Sequence, residues 1–300
     1  MDAAHPELTR IGWIGTGVMG RSMCSHLLKA GYKTSVFNRS PAKLNDLINL
    51  GAVGCSSPRE VALRSDVVFS MVGYPSDVEE ITFGADGVLA GLSPTSVFVD
   101  MTTSRPGLAV RISEAAMGQS AVALDAPVSG GDIGAREARL SIMVGGDQEA
   151  FEALIPIWKL MGPTHVFHGA AGCGQHAKMV NQILVAAGMV GICEALLYAR
   201  QAGLDPELVF KSVSSGAAGS WSLSNLTPRI LKGDFAPGFF VDHFVKDLSI
   251  AIEEAERLGL QLAGLSNAKK AYEYLQLLGH GRSGTQSLIL ALAKQNGIDW

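Results

Sequence analysis

Short apolar runs alternate with amphipathic stretches through the first half of the chain, and glycine or a capping residue marks most changeovers. "RIGWIG" (Arg10 to Gly15) is apolar and stops at glycine. In "TGVMGRSMCSHLLKAG" that follows, Met19, Met23, His26, Leu27 and Ala30 recur at helical spacing, with Gly31 placed as the cap. "YKTSVFN" reads as a second strand, and "SPAKLNDLINLG" as a helix with a serine cap, a proline in its first turn and a terminal glycine. "DVVFSMV", "SVFVDM", "AVALDAPVSGG", "LSIMVGG" and "THVFHG" continue the strand series, with helices starting near Ser57, Ser76, Arg105 and Gln148. Continuous apolar strands alternating with helices predict a parallel sheet covered on both faces.

From about Gly172 the strand pattern disappears. Helices are expected from there to about Ala202, then over Asp205 to Val213, Ser220 to Leu231, His243 to Leu258, Asn267 to Leu278 and Thr285 to Asn296. After Gln182 the first of these is apolar around nearly its full circumference, which predicts a central helix packed on several sides. "SGAAGSWSLSN" (Ser215 to Asn225) reads as a loop that carries Trp221 toward a pocket. The fold class is therefore α/β, a domain of parallel sheet and helices over residues 1–171 followed by an all-α domain over 172–300. No charged or low-complexity linker separates them, so a shared cleft is expected.

Composition narrows the function classes. The chain has 300 residues, 47% hydrophobic and 17% charged, which describes packed globular domains rather than disorder. Net charge is −4 with dispersed positive residues, so no nucleic-acid partner is expected. Cys24, Cys55, Cys173 and Cys193 are scattered and form no CxxC pair, which argues against a zinc site or a disulfide framework and suits a reducing compartment. "MDAAHPELTR" lacks the apolar core of a secretory signal. The longest uncharged apolar run, Ile183 to Cys193, is about half of the ~20 residues a membrane span needs. A soluble protein with no membrane partner is expected, in the cytoplasm or in an organelle lumen if a targeting segment has been removed.

"GTGVMG" places Gly15, Gly17 and Gly20 in GxGxxG spacing, with Thr16, Val18 and Met19 between them. The motif follows a strand, opens a helix and precedes a second strand, as a dinucleotide site requires. At the end of that strand stand Asn38, Arg39 and Ser40, where NAD sites usually carry an acid. An arginine fork and a hydroxyl suit a 2′-phosphate, so NADP is expected, with NAD possible where Arg39 only stacks on adenine. In "DAPVSGG", Ser129, Gly130 and Gly131 follow a strand end and offer a hydroxyl and unobstructed N–H groups to a substrate carboxylate. In "GAAGCGQHAKMVNQILVAAGMVG", Lys178 opens an otherwise apolar helix, and Asn181 and Gln182 share its face. An ammonium group in so apolar a stretch either snorkels to water or serves chemistry.

"IGWIGTGVMG", "DAPVSGG", "GCGQHAKMVNQ" and "FVKDLSIA" together resemble the β-hydroxyacid dehydrogenase family, in order and register over nearly the whole chain. That family includes 3-hydroxyisobutyrate dehydrogenases, tartronate semialdehyde reductase and glyoxylate/succinic semialdehyde reductases. The resemblance implies a Rossmann-type dinucleotide-binding domain followed by an all-helical one, and NADP(H)-dependent hydride transfer to or from a short β-hydroxyacid or its semialdehyde, in a homodimer or homotetramer. It implies that Lys178, four residues beyond Gly174, is the proton donor and acceptor. A buried lysine can serve both directions near neutral pH. The family commonly has asparagine four residues beyond that lysine; here Gln182 stands there, with Asn181 just before, and which amide takes the role is open. By the same resemblance Thr103, Val72, Gly73 and Lys246 contact the cofactor, Asp247 supports the lysine and Phe239 walls the substrate pocket. His168, His176 and His243 lack a carboxylate at a telling spacing and read as structural, with no metal expected. Imine reductases share the architecture but typically lack the lysine, and 6-phosphogluconate dehydrogenases are much longer. The competing class is a non-catalytic NADP-binding regulator or scaffold.

Overall fold

The computed structural model describes residues 2–300, in two compact units that divide after Lys178. In the first, β1 (Ile11–Ile14), β2 (Thr34–Phe37), β3 (Val53–Gly54), β4 (Val67–Ser70), β5 (Val97–Asp100) and β6 (Val122–Asp125) form a six-stranded sheet in the order β3-β2-β1-β4-β5-β6. Every pairing in it is parallel. The connections carry α1 (Val18–Lys29), α2 (Asn45–Asn49), α3 (Pro58–Leu63), α4 (Pro75–Phe83) and α5 (Pro106–Met117). This is the doubly wound order, whose strand sequence reverses between β1 and β4.

Both faces of this sheet are covered, which is why its strands read as unbroken apolar runs. Trp13, Phe69 and Val99 point into one core cluster; Ile14, Val68 and Phe98 point into another. The period-two alternation of strand side chains separates them. Trp13 stacks on Phe69 with centroids 5.5 Å apart, and Trp158 meets Phe69 edge-on at 5.9 Å.

The strand series does not continue into one sheet, as the sequence pattern had suggested. "AVALDAPVSGG" breaks at Ala126–Pro127 into β6 and β7 (Val128–Ser129). Pro127 has no N–H to extend the β6 ladder, and the chain turns there into a second sheet of order β7-β8-β9. Here β8 (Ser141–Val144) runs antiparallel to β7 and parallel to β9 (Thr164–Phe167). Between these strands lie α6 (Gly131–Arg136), α7 (Gln148–Ala153) and α8 (Ile155–Met161). The pattern missed α6 and the two-residue β3, both too short to show a period, and merged α7 with α8.

The rest is helical: α9 (Cys173–Gln201), α10 (Pro206–Val213), α11 (Trp221–Leu231), α12 (Val241–Arg257), α13 (Ala263–Leu277) and α14 (Leu288–Gln295). The division between units falls inside α9, downstream of the expected 171/172 boundary, which lies just ahead of the helix. Asp205 and Ser220 cap α10 and α11 by accepting backbone N–H bonds, so the expected loop around Ser215 to Asn225 is half helix. Trp221, expected in a pocket, is 60% exposed. In the second unit Phe244, Leu248, Tyr272 and Leu275 pack with Met189, Cys193 and Leu197 of α9.

Helix α9 is not packed on all sides. Val180, Leu184 and Tyr198 are 59%, 69% and 74% exposed. Its mean hydropathy reaches 1.8, so by length and composition α9 could cross a membrane, although its longest uninterrupted apolar run is short. Its opposite face belongs to the core of the second unit.

Asp100, at the carboxyl end of β5, is fully buried and accepts bonds from Ser70 Oγ at 2.8 Å and Thr102 N at 3.1 Å. Burial outweighs these bonds and pushes its carboxyl up to about 6. A raised acid favours the folded state below its unfolded pKa, and that contribution is lost as pH rises through about 6. Asp100→Asn removes the titration. Urea unfolding of both proteins should show the variant gaining on the wild type by roughly 2 kcal/mol between pH 4 and 7. A stability difference that does not change with pH would place the carboxyl at its ordinary value.

Candidate active site

The turn from β1 into α1 is built on backbone contacts that only glycine permits. Gly15 has φ +91°, and a Cβ there would lie 2.2 Å from Met71 O. At Gly20 a Cβ would lie 2.1 Å from Gly15 O, so α1 packs directly on the strand end. At Gly17, between them, a Cβ would meet nothing within 4 Å. The fold requires glycine at the first and third positions and leaves room at the second. Gly17 is also the N-cap of α1, with no side-chain cap bond and no acid in the first turn. A helix N-terminus left in this state suits an anion, and a dinucleotide pyrophosphate fits both the space and the charge.

The neighbouring residues fall into two groups. Thr16 and Asn38 tie loops together: Thr16 N donates to Asn38 Oδ1 at 3.1 Å, Thr16 Oγ1 donates to Lys43 O at 3.2 Å, and Asn38 Nδ2 donates to Ser40 O at 3.0 Å. Val72 N donates to Thr102 Oγ1 at 3.0 Å, so its N–H serves the loop after β5. Arg39, by contrast, is exposed, and its guanidinium reaches Asp77 Oδ1 at 3.4 Å. Asp77 also accepts the Tyr74 N–H at the start of α4. Val18 is exposed, Met19 is half-buried against the sheet core, and Gly73 and Thr103 are half-buried.

Lys178 lies in the first unit, in the opening turns of α9. Its side chain is buried, and Nζ donates to Val128 O at 2.8 Å. Burial and this bond answer the question raised by an ammonium in an apolar helix: it is not turned to water. Val128 directly precedes Ser129, Gly130 and Gly131. Gly130 and Gly131 have φ of +134° and +63°, and α6 begins at Gly131. The lysine and the glycine turn are thus joined through one carbonyl.

Asp125, Gly174 and Gln175 hold α9 in place, and of these the sequence pattern singles out only Gly174. Asp125, at the end of β6, accepts Gly172 N at 2.8 Å and Gln175 N at 2.7 Å. Its carboxyl is raised by burial and held back by those N–H bonds. A Cβ on Gly174 would lie 2.5 Å from both Asp125 O and Met143 O, so the first turn of α9 sits directly on the ends of β6 and β8. The Gln175 side chain is fully buried and bonds Thr102 O and Ser104 N. Asp125 and Gln175 do lie inside the two quoted motifs, which were the only signal available.

In the second unit Asn181, Gln182, Asp247 and Lys246 form one chain of contacts. Asn181 Nδ2 donates to Gln182 Oε1 at 2.7 Å, Gln182 Nε2 donates to Asp247 Oδ2 at 2.5 Å, and Lys246 Nζ lies 2.7 Å from Asp247 Oδ1. Phe239 packs edge-on to Phe244 at 5.5 Å, in the helical core. Burial, then Lys246, pull the His243 imidazole below its usual value, in keeping with a structural residue. Among the described residues no group of His, Cys, Asp and Glu could hold a metal.

A doubly wound sheet with a glycine turn open at its second position is the dinucleotide-binding half of an oxidoreductase. Residues 10–170 match the model for the NAD-binding domain of 6-phosphogluconate dehydrogenase, and residues 172–292 that for the NAD-binding domain of NADP-dependent 3-hydroxyisobutyrate dehydrogenase. The chain is 51% identical over 298 residues to the Arabidopsis thaliana protein named probable 3-hydroxyisobutyrate dehydrogenase-like 1, mitochondrial, covering 99% of this chain and 89% of that one. It is 36% identical to 2-hydroxy-3-oxopropionate reductase of Escherichia coli strain K12, covering 94% and 97%. The structure of Mycobacterium tuberculosis 3-hydroxyisobutyrate dehydrogenase with L-serine superposes with a TM-score of 0.87 at 28% identity, over 95% of this chain and 99% of that one. The chain belongs to the β-hydroxyacid dehydrogenase family and is an NAD(P)-dependent hydroxyacid dehydrogenase.

The two glycines should separate cleanly on substitution. Gly17→Ala is expected to keep its melting temperature within a few degrees while the Kd for NADPH rises tenfold or more. Gly20→Ala should lose about 2 kcal/mol or more of stability, because its Cβ meets a carbonyl that cannot move. Calorimetry and NADPH fluorescence titration read both. Equal NADPH affinity in wild type and Gly17→Ala would remove the phosphates from this cradle.

Proposed function

We propose that the enzyme interconverts a short β-hydroxyacid and its semialdehyde with NADP(H), Lys178 donating or accepting the proton. The observation that carries this reading is the Lys178–Val128 contact. It seats a buried ammonium beside the Ser129–Gly131 turn, within a single compact unit. When bound, the nicotinamide supplies or receives the hydride. The residues of the chain do the rest. Ser129 and the N–H groups of Gly130 and Gly131 hold a carboxylate. Lys178 places positive charge where an oxygen becomes negative and passes a proton to it, or removes one in the reverse direction. Asn181, Gln182 and Asp247 form a hydrogen-bonded set that begins one turn beyond the lysine on the same helix. Thr103, Val72 and Gly73, in the same unit as the glycine turn, line the cofactor; Phe239 and Lys246 belong to the second unit.

The preference for NADP rests on Arg39. Its guanidinium is exposed at the end of β2, with a weak 3.4 Å contact to Asp77, and can turn to a 2′-phosphate as a fork. Asp77, on the same guanidinium, would accept a ribose hydroxyl and leaves NAD usable.

The partner is a second copy of the chain. Val180, Leu184, Gly188, Gly191, Ala195 and Tyr198 repeat at three- and four-residue spacing and are all exposed. A Cβ at Gly188 or Gly191 would meet nothing within 4 Å. Helix α10, apolar at Leu208 and Val213, has no buried side chain. A contiguous apolar face of this size on a helix whose other side is core fits an interface between protein chains better than a lipid surface.

Two measurements test these readings. Turnover with NADPH and NADH on glyoxylate, succinic semialdehyde, tartronate semialdehyde and methylmalonate semialdehyde should find at least one substrate. On it, Lys178→Ala should lower kcat by roughly 10²–10⁴-fold with cofactor affinity little changed; near-native kcat would take the lysine out of the mechanism. Sedimentation should give a dimer or tetramer that Leu184→Glu dissociates, and an oligomer indifferent to that charge would move the interface elsewhere.

A further inference from the structure

Several buried groups that the proposed chemistry does not use, Asp100, Thr102 and Asp125 among them, converge on one side chain. We propose that Gln175 is a positioning residue that locks the loop Thr102–Ser104 to the helix turn bearing Lys178 and so sets the distance between the cofactor side and the acid–base group. The inference rests on the reading of Lys178 given above.

Gln175 is 0% exposed, on the first turn of α9. Its Nε2 donates to Thr102 O at 2.7 Å and its Oε1 accepts Ser104 N at 2.9 Å. These two bonds flank Thr103, so both peptide groups next to that residue are held by one amide. Its own N–H is held by Asp125 Oδ2 at 2.7 Å, which pins the backbone beneath the side chain. The loop is tied on its other side as well. Thr102 Oγ1 accepts Val72 N, and Thr102 N donates to Asp100 Oδ1. The ends of β4, β5 and β6 are therefore connected to α9 through Thr102, Gln175 and Asp125. Lys178 follows three residues later, on the same side of the helix and about 4.5 Å along its axis. All of these groups belong to the first compact unit.

A planar amide can meet a carbonyl and an N–H together; no hydrocarbon can, and a carboxylate meets only the N–H. Loss of the amide leaves two buried backbone groups unpaired and frees the loop to shift against the helix. A misplacement near 1 Å can cost about a hundredfold in rate. Substitution with glutamate adds a distinct signature. The neutral acid restores both bonds by donating its O–H to Thr102 O, whereas the anion faces that carbonyl with lone pairs. The groups around the new acid are Asp125 on β6, Asp100 on β5, and His176 and Lys178 on α9 itself.

The experiment compares Gln175→Ala, Gln175→Glu, Lys178→Ala and wild type, using NADPH and whichever of the four aldehydes turns over fastest. Gln175→Ala should lower kcat about 10- to 100-fold while the Kd for NADPH stays within about threefold and the protein remains folded at assay temperature. For Gln175→Glu, kcat relative to wild type should fall by tenfold or more between pH 5.5 and 8, and recover when pH is lowered again. A kcat within twofold of wild type in Gln175→Ala would overturn the proposal, as would a loss matched by the loss of folded protein. If Gln175→Ala does not fold, the pH profile of Gln175→Glu decides alone, and a flat ratio overturns it. Unimpaired turnover by Lys178→Ala would sink the acid–base reading and this one with it; an impaired Lys178→Ala beside an unimpaired Gln175→Ala sinks only the positioning role.

Discussion

The buried carboxylate of Asp125 at the N-terminus of α9 is the constraint on which the candidate site depends. A carboxyl taken out of water disfavours its charge, and here burial does raise it. The opposing force comes from the Gly172 and Gln175 N–H groups and from the positive end of a helix that continues to Gln201. The balance holds only if the helix start stays within hydrogen-bonding distance of the end of β6. That requirement explains Gly174, where any side chain would press on Asp125 O and Met143 O. It also explains why Lys178 reaches Val128 O, because the helix has been brought down onto the strand that Val128 continues.

Two helix N-termini in the first unit have opposite uses, and their surroundings say why. Both α1 and α9 start on a glycine-permitted approach to a strand end. The donors of α9 are satisfied internally by Asp125, so its dipole stabilises the fold. At α1 there is neither a side-chain cap nor an acid, and the space at Gly17 is open. The α9 terminus is closed by the protein's own anion, while the α1 terminus has room for a foreign one. Spacing alone cannot make that distinction, since "GCG" and "GTG" look alike in the chain.

Legibility in the sequence followed the length of each signal. Strands β1, β4 and β5 are buried on both faces and flanked by glycine or caps, so their apolar runs were unmistakable. Helices α9 and α12 were equally plain because many turns share one pattern. The break between β6 and β7 was marked by Pro127 yet passed over, because apolar residues continue on both sides of it. Helix α6, opened by two glycines, resembled the turn that glycines usually signal. In the candidate site, Gly15, Gly17, Gly20, Ser129 and Lys178 stand out in the sequence because chemistry or spacing singles them out. Gln175 was missed for a physical reason: its role is a pair of bonds to backbone atoms distant in sequence, and a glutamine beside a motif carries no trace of them. Asp125 was missed likewise, since its partners are N–H groups that every residue has.

The same reasoning gives meaning to the glycines that touch nothing. A glycine inside a helix costs about 1 kcal/mol relative to alanine. Where a Cβ would strike backbone, as at Gly20, packing offsets that cost. Gly188 and Gly191 have no such reason within the chain, for a Cβ at either would stand in open space. They sit mid-helix in α9 among exposed Val180, Leu184 and Tyr198, on the side away from the core of the second unit. Such a position leaves room for something outside the chain to come close. At Gly17 the open space fits the phosphate of a cofactor; along α9 it fits the proposed approach of a second protein backbone. The missing side chains outline both surfaces.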